Sequence, residues 1–328
     1  MELPSSVDGR EHQRYSRRPT GLTHPYATEA YAKSLRHIGT CLPVPEWGCC
    51  VLIRPIFNGL SDCAGTYPFA VVSKDADLAG GLSRLRAYGL VSVVLVLDEI
   101  HHPELPMLNK NFTFIRPFKI HYTRCPATGP LVLGRHHRRA LRRAGAATRV
   151  GVIDIAAHGA DWNRLYAALI ARHRLKGIHC FPPDHVNSLA TLNGVTGIGA
   201  WIGSELVSAH IWVHHEGHVH SHLVASNEAG YAARAAYAVL AASVEHFRDA
   251  SLINFGGMAG EADNQIDGLA RFKSGFADGT AKSYICGAVL RSVEYSQLSA
   301  SSDASCDTDF FPAYRAPGSI FASGSSGI

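Results

Sequence analysis

The chain has 328 residues, 46% of them hydrophobic, and a formal net charge of +4. That length exceeds one ordinary compact core and the apolar content is enough for two, so two packed domains are expected. The modest charge excludes a globally polycationic nucleic-acid binder and leaves only local basic patches to consider.

Residues 1–24 contain no apolar run of the secretory kind and read as a polar, flexible leader. The longest strongly apolar run, Leu90 to Leu97, is too short to cross a bilayer. A cytoplasmic protein without membrane contact is therefore expected. Eight cysteines are scattered with no CxxC pair, which reads as free thiols, most of them small buried hydrophobes.

In chain order, residues 25–38 predict a weakly amphipathic helix stopped by Gly39, and residues 49–57 and 67–72 predict strands. Asp77 can N-cap a helix running to Tyr88 with Gly89 as its stop. Residues 91–97 predict a buried strand, and residues 112–122 another, bent at Pro117. In the second half Asp161 can cap a helix over 162–175. Strands then follow at 197–202, 206–215 and 218–225, the last two joined by the two-residue turn Glu216-Gly217. A long alanine-rich helix is expected over 231–247, a strand over 252–255, a helix over 267–276 and a last strand over 284–290. Helix, strands, helix, strand, helix, strand thus occurs twice, which predicts two copies of one α/β domain. Residues 299–305 and 318–327 read as polar loops or disorder, while Phe310 to Tyr314 between them is aromatic enough to dock on the body.

Three stretches carry a resemblance. The first is Arg116-Pro117-Phe118-Lys119-Ile120-His121-Tyr122 with the basic segment from His136 to Ala144. The second is Val207 to Trp212, Ser221-His222-Leu223 and Gly230-Tyr231. The third is Leu252-Ile253-Asn254-Phe255-Gly256-Gly257, then Arg271-Phe272-Lys273-Ser274-Gly275-Phe276, then Tyr295 and Phe311 to Arg315. Together they resemble the FemAB-like branch of the GNAT acyltransferase superfamily, over about two thirds of the chain. The resemblance implies an α/β fold, a mixed sheet with flanking helices built as tandem GNAT-like domains. It assigns residues 25–135 to an N-terminal domain, 136–298 to a catalytic domain and 299–328 to a tail that is partly docked and partly disordered.

Acyl transfer to an amine needs a held carbonyl, donors for the developing oxyanion and a route for the amine proton. The resemblance puts Lys273 beside the reacting centre, where an ammonium can stabilise the tetrahedral intermediate; the bland alternative is a solvated lysine. It pairs Lys273 with Asn254 as catalytic residues, and places Phe272, Gly256, Gly257, His210, Trp212 and His222 at the substrate. Absent side chains at Gly256 and Gly257 permit close approach or simply a tight turn. Tyr231, Arg234 and Tyr237, three residues apart on the expected long helix, form a polar stripe suited to a carboxylate or phosphate, or a plain surface stripe. Lys119 on the strand between the halves is a further substrate-binding candidate.

The stretch Asn227-Glu228-Ala229-Gly230 stands where GNAT enzymes hold the pyrophosphate of acyl coenzyme A. A carboxylate there is unfavourable for that ligand. The resemblance then favours aminoacyl-tRNA as donor. Arg135, Arg138, Arg139, Arg142 and Arg143, spread around their helix, could hold its phosphates or face solvent. On the hairpin, His215, His218, His220 and His222 are expected on one face, where zinc or nickel binding is the sharp alternative; no HExxH pattern is present and no metal is expected. His210 and Trp212 are expected opposite that face, either in the cleft or in the core.

The expected function is aminoacyl transfer from aminoacyl-tRNA, as co-substrate, to the amine of a peptide or peptide-like acceptor, of the kind used in antibiotic assembly, with no bound cofactor. The alternatives are an acyl coenzyme A-dependent transferase of the same fold, and a histidine-rich metal- or RNA-binding module without catalysis.

Overall fold

A computed structural model describes residues 23–257, 268–302 and 310–321. In chain order its elements are α1 (Glu29–Ser34), β1 (Thr40–Val44), β2 (Cys49–Pro55), β3 (Ser61–Gly65), α2 (Leu78–Ala87), β4 (Ser92–Asp98), α3 (Leu105–Asn111), β5 (Phe114–Arg124), α4 (Arg135–Ala147), β6 (Arg149–Ile153), α5 (Gly159–His173), α6 (His185–Ala190), β7 (Val195–Ile202), β8 (Glu205–His215), β9 (His218–Ser226), α7 (Glu228–Ala233), α8 (Ala235–His246), β10 (Leu252–Gly257), α9 (Gly268–Ser274), β11 (Gly279–Val289) and α10 (Ser292–Ala300). The fold is mixed α/β. No described helix is long and apolar enough to cross a membrane.

The chain forms two compact units. The first joins Thr23–His121 to His173–Asn193 and to the stretch that starts at Ala281; the second joins Tyr122–Arg172 to Gly194–Thr280. The division expected at residue 135 is therefore displaced. The chain changes unit within the long strands β5 and β11, and again on either side of α6.

In the first unit the strand order is β1-β2-β3-β4-β11-β5. β1, β2 and β3 form an antiparallel meander, and α2 carries the chain from β3 to its parallel neighbour β4. Asp77 accepts from Gly80 N at 2.8 Å as the cap of α2, and Gly89 adopts φ +89° just beyond its end. All seven residues of β4 are buried, as its unbroken apolar run requires. Asp62 of β3 is fully buried but held by Arg54 Nε at 2.9 Å, Arg315 Nε at 2.6 Å and Tyr314 Oη at 3.0 Å. That network fixes residues 310–316, and the Phe311 ring stacks on Phe114 at 5.0 Å.

The second unit repeats the scheme with strand order β10-β9-β8-β7-β6. An antiparallel β6-β7-β8-β9 ladder is followed by α7 and α8 and then by β10, parallel to β9. Its core sets Val239, Leu240 and Val244 of α8 against Trp212, Val219, Ile253 and Phe255 of the sheet. Glu216 and Gly217, at φ +46° and +86°, form the expected hairpin turn and pair His215 with His218.

Several expected elements are corrected. Residues 67–72 form no strand: Pro68 removes a donor, and Phe69, Ala70 and Val72 fill the core with Ala70 N bonded to Val96 O at 2.8 Å. β1, which carries Pro43, β3 and β6 were not anticipated. α5 starts at Gly159, so Asp161 lies inside it and bonds His158 and Arg164 instead of capping. The helix expected over 231–247 is two helices, because Arg234 adopts a left-handed φ of +62° between α7 and α8. The helix expected over 267–276 ends at Ser274, and Asp267 lies outside the described residues. So do residues 1–22, 303–309 and 322–328, on which most of the leader and tail expectations fall.

Candidate active site

The second unit holds the strongest convergence of chemical groups, and strand pairing explains where it lies. β9 and β10 share three rungs, Leu252 with His218, Ile253 with Val219 and Asn254 with His220. Beyond them the two parallel strands run on without a shared rung. Across β9, the register against β8 steps from Ile211–Leu223 to Trp212–Ser221, so His222 is the residue passed over. A bulge of this kind bends the strand and re-aims its side chains. It also breaks the strict alternation that put His222 in line with His215, His218 and His220.

Lys273, on the last turn of α9, reaches into this region and donates from Nζ to Gly257 O at 2.5 Å. Gly256 makes the approach possible. Its φ is +80°, and a Cβ there would stand 3.2 Å from Lys273 Nζ. Asn254, 3% exposed, turns its Oδ1 to Gly256 N at 2.8 Å. Its carboxamide therefore shapes the bend that presents Gly256 and Gly257. Phe272 packs edge-on to Tyr237 at 4.8 Å, and Phe276 is fully buried beside both.

His210 lies stacked on Trp212 at 3.9 Å, with Nε2 2.8 Å from Ser221 Oγ. Burial, reinforced by the Lys273 charge, pushes the His210 imidazole down to about 3, so it stays neutral. Ser221 is half-buried and was not singled out beforehand as a site residue. It stands opposite Trp212 in the register that the Glu216-Gly217 turn sets, and the shift at His222 comes only after that rung. Trp212 itself is fully enclosed, with Nε1 donating to Ser243 Oγ at 3.0 Å and Phe247 and Phe255 against its ring. It is a core residue with no surface to offer a substrate, which corrects its assignment to the substrate.

The expected stripe of Tyr231, Arg234 and Tyr237 is interrupted by the left-handed Arg234. Tyr231 lies under the Arg172 guanidinium at 4.2 Å. Tyr237 turns toward α4, with Oη 3.3 Å from His136 Nε2; burial raises its pKa, and the Arg234 and Arg271 charges partly offset that. Lys119 belongs to the first unit, on β5, its ammonium 4.8 Å above the Phe118 ring.

On α4, His137, Ala140 and Ala144 are buried, while Arg135, Arg138, Arg139, Arg142 and Arg143 are all exposed. At 100° per residue the five arginines span a sector of about 140° opposite the buried stripe. They therefore form one face and are not spread around the helix as expected. None is ion-paired among the described residues; Arg138 donates to Leu133 O at 2.6 Å. The buried side of α4 touches the Lys273 helix, because His137 Nε2 lies 3.1 Å from Phe272 O. A Cβ on Gly275 would stand 2.1 Å from the same ring nitrogen.

At the start of the helix after β9 one amide is already taken. Asn227 Oδ1 already accepts from Gly230 N at 2.9 Å, and a Cβ on Gly230 would meet Val207 O at 2.2 Å. That glycine is needed for packing against β8.

No family model matches the chain, and no curated protein matches it in sequence. Solved structures do match in fold. FemX covers 84% of this chain over 95% of its own, at 10% identity and a TM-score of 0.61. L-PGS from Bacillus licheniformis covers 84% over 96% of its own, at 12% identity and a TM-score of 0.52. A C-terminal DUF2156 domain from Agrobacterium fabrum covers 81% over 89% of its own, at 11% identity and a TM-score of 0.58. The fold of this chain is thus the fold of FemX and L-PGS.

Proposed function

We propose that the protein is an N-acyltransferase that moves an amino acid from aminoacyl-tRNA to the amine of a peptide or peptide-like acceptor, of the kind used in antibiotic assembly. The observation that carries this reading is Lys273, whose ammonium is delivered to the backbone at Gly256-Gly257 where β10 has left its parallel partner. A cation fixed there can stabilise the oxyanion of a tetrahedral intermediate without reorganising. Asn254 holds the bend that admits it, and Phe272 and Phe276 seat its helix in the core.

Electrostatics support this choice of donor. The α4 arginine face offers five positive charges to a polyphosphate backbone, and binding of that type releases counterions. At the start of α7 the Gly230 amide is already bonded to Asn227 and Glu228 adds a negative charge, which disfavours the pyrophosphate of acyl coenzyme A. The fold shared with FemX is compatible with this choice.

The test is incubation with a radiolabelled aminoacyl-tRNA pool and candidate peptides, with and without prior ribonuclease. Label should pass to a peptide and the transfer should vanish after ribonuclease. Transfer that survives ribonuclease, or that requires acyl coenzyme A, would sink the donor assignment.

A further inference from the structure

The amine that attacks the donor ester must lose a proton, and the leaving ribose oxygen must gain one. Lys273 is cationic and cannot accept it. His210 is the obvious base by residue type, yet it is walled in on Trp212 and lies in the field of the Lys273 ammonium, so a second positive charge on its ring is strongly disfavoured. What His210 does touch is Ser221 Oγ, at 2.8 Å. Ser221 stands one residue past the last β9–β10 rung, at the bulge, on the sheet face that holds Trp212, and it keeps part of its surface open. Its hydroxyl is therefore held just past the point where β9 and β10 stop pairing, against an imidazole that feels the Lys273 charge.

We propose that Ser221 is the proton relay of the transfer, held in place by His210 acting as a positioning residue; this rests on the acyltransferase reading above. In the step, the amine nitrogen forms its bond to the donor carbonyl carbon and an N–H bond breaks, its proton passing to Ser221 Oγ. The original Ser221 hydrogen passes to the ribose oxygen as the carbon–oxygen bond breaks. The serine ends as it began. His210 keeps its own hydrogen on Nε2 and donates it to Oγ throughout, so the Ser221 O–H points to the substrate. The buried imidazole thus never carries a charge.

The experiment compares wild type with Ser221→Ala and Ser221→Thr, using aminoacyl-tRNA and, separately, acetyl coenzyme A as donors to the same peptides. Thermal melting of each protein serves as the folding control. Ser221→Ala should lower kcat about 100-fold with KM within about threefold, as expected for loss of proton transfer, while Ser221→Thr keeps at least about a tenth of wild-type turnover. The wild-type rate should fall in heavy water with a curved proton inventory, because two protons move together; the curvature should disappear in Ser221→Ala. The relay is overturned if Ser221→Ala turns over within about threefold of wild type, if its loss lies only in KM, or if folded Ser221→Thr is as inactive as Ser221→Ala. Transfer from acetyl coenzyme A alone would overturn the tRNA reading and leave Ser221 judged by the same variants, since the relay can equally protonate a leaving thiolate. No transfer from either donor overturns both.

Discussion

At the scale of single residues, the proposed site depends on where one ammonium is held. Lys273 Nζ bonds to Gly257 O, and the positive φ of Gly256 leaves the space it occupies. Removing that charge should act on the transition state, where the carbonyl oxygen becomes anionic, more than on the bound substrate. Lys273→Ala is therefore expected to lower turnover by about 100-fold while leaving KM nearly unchanged. Steady-state kinetics on the labelled-transfer assay decide it. An effect confined to KM would show that the lysine binds substrate and stabilises no intermediate.

At the scale of elements, α4 joins two tasks on opposite sides of one helix. Its buried side wedges His137 against Phe272 O and Gly275, next to Lys273, while its outer side carries the arginines. α9 itself has no fully buried residue, so its position relies on such contacts. If the outer face binds polyphosphate, charge reversal at Arg139 and Arg143 should weaken donor binding and spare the chemical step. Arg139→Glu with Arg143→Glu is expected to raise KM for aminoacyl-tRNA about tenfold or more, with saturating turnover within about twofold, and to reduce the salt slope of binding by about two. Filter binding over a range of salt concentrations gives both numbers; an unchanged slope would remove α4 from the interface.

Much of this level was legible beforehand. The Glu216-Gly217 hairpin, the Asp77 cap, the buried strand β4 and the repeated order of helix, strands, helix and strand each follow from turn chemistry or apolar runs, whereas β1, β3 and β6 do not. The arginine cluster was visible, although its confinement to one face becomes clear only when the buried stripe of His137, Ala140 and Ala144 is placed. The break at Arg234 was not legible, since nothing in Tyr-Ala-Ala-Arg-Ala-Ala-Tyr disfavours a continuous helix and an arginine is a costly residue at left-handed φ. The pairing of His210 with Ser221 was hidden for another reason. The turn register sets Ser221 opposite Trp212 and so on the face of His210, but alternation gives only the shared face and not the 2.8 Å contact between the two side chains.

At the scale of the whole molecule, both units bury histidines that fold in the neutral form, and this links stability to pH. In the first unit burial lowers His185 to about 4, with His37 nearby opposing protonation and the Ser34 backbone and Asp184 only partly compensating. In the second, burial and Lys273 lower His210 to about 3, while burial, His246 and His215 lower His214 to about 4. An unfolded histidine titrates near 6.5, so above that pH both states are neutral and this contribution to stability is complete. As pH falls from 6.5 toward 4, the unfolded chain takes up protons that the native chain refuses, and stability declines. Each group can contribute on the order of 1 kcal/mol per pH unit across that window. Carboxylates change little between pH 7.5 and 5.5, which isolates the histidines. The urea midpoint, followed by tryptophan fluorescence, should therefore drop between pH 7.5 and 5.5, and His185→Asn should flatten that dependence. A midpoint that stays level across the two pH values would mean that the buried rings accept protons without loss, contrary to their enclosure against Phe181 and Trp212.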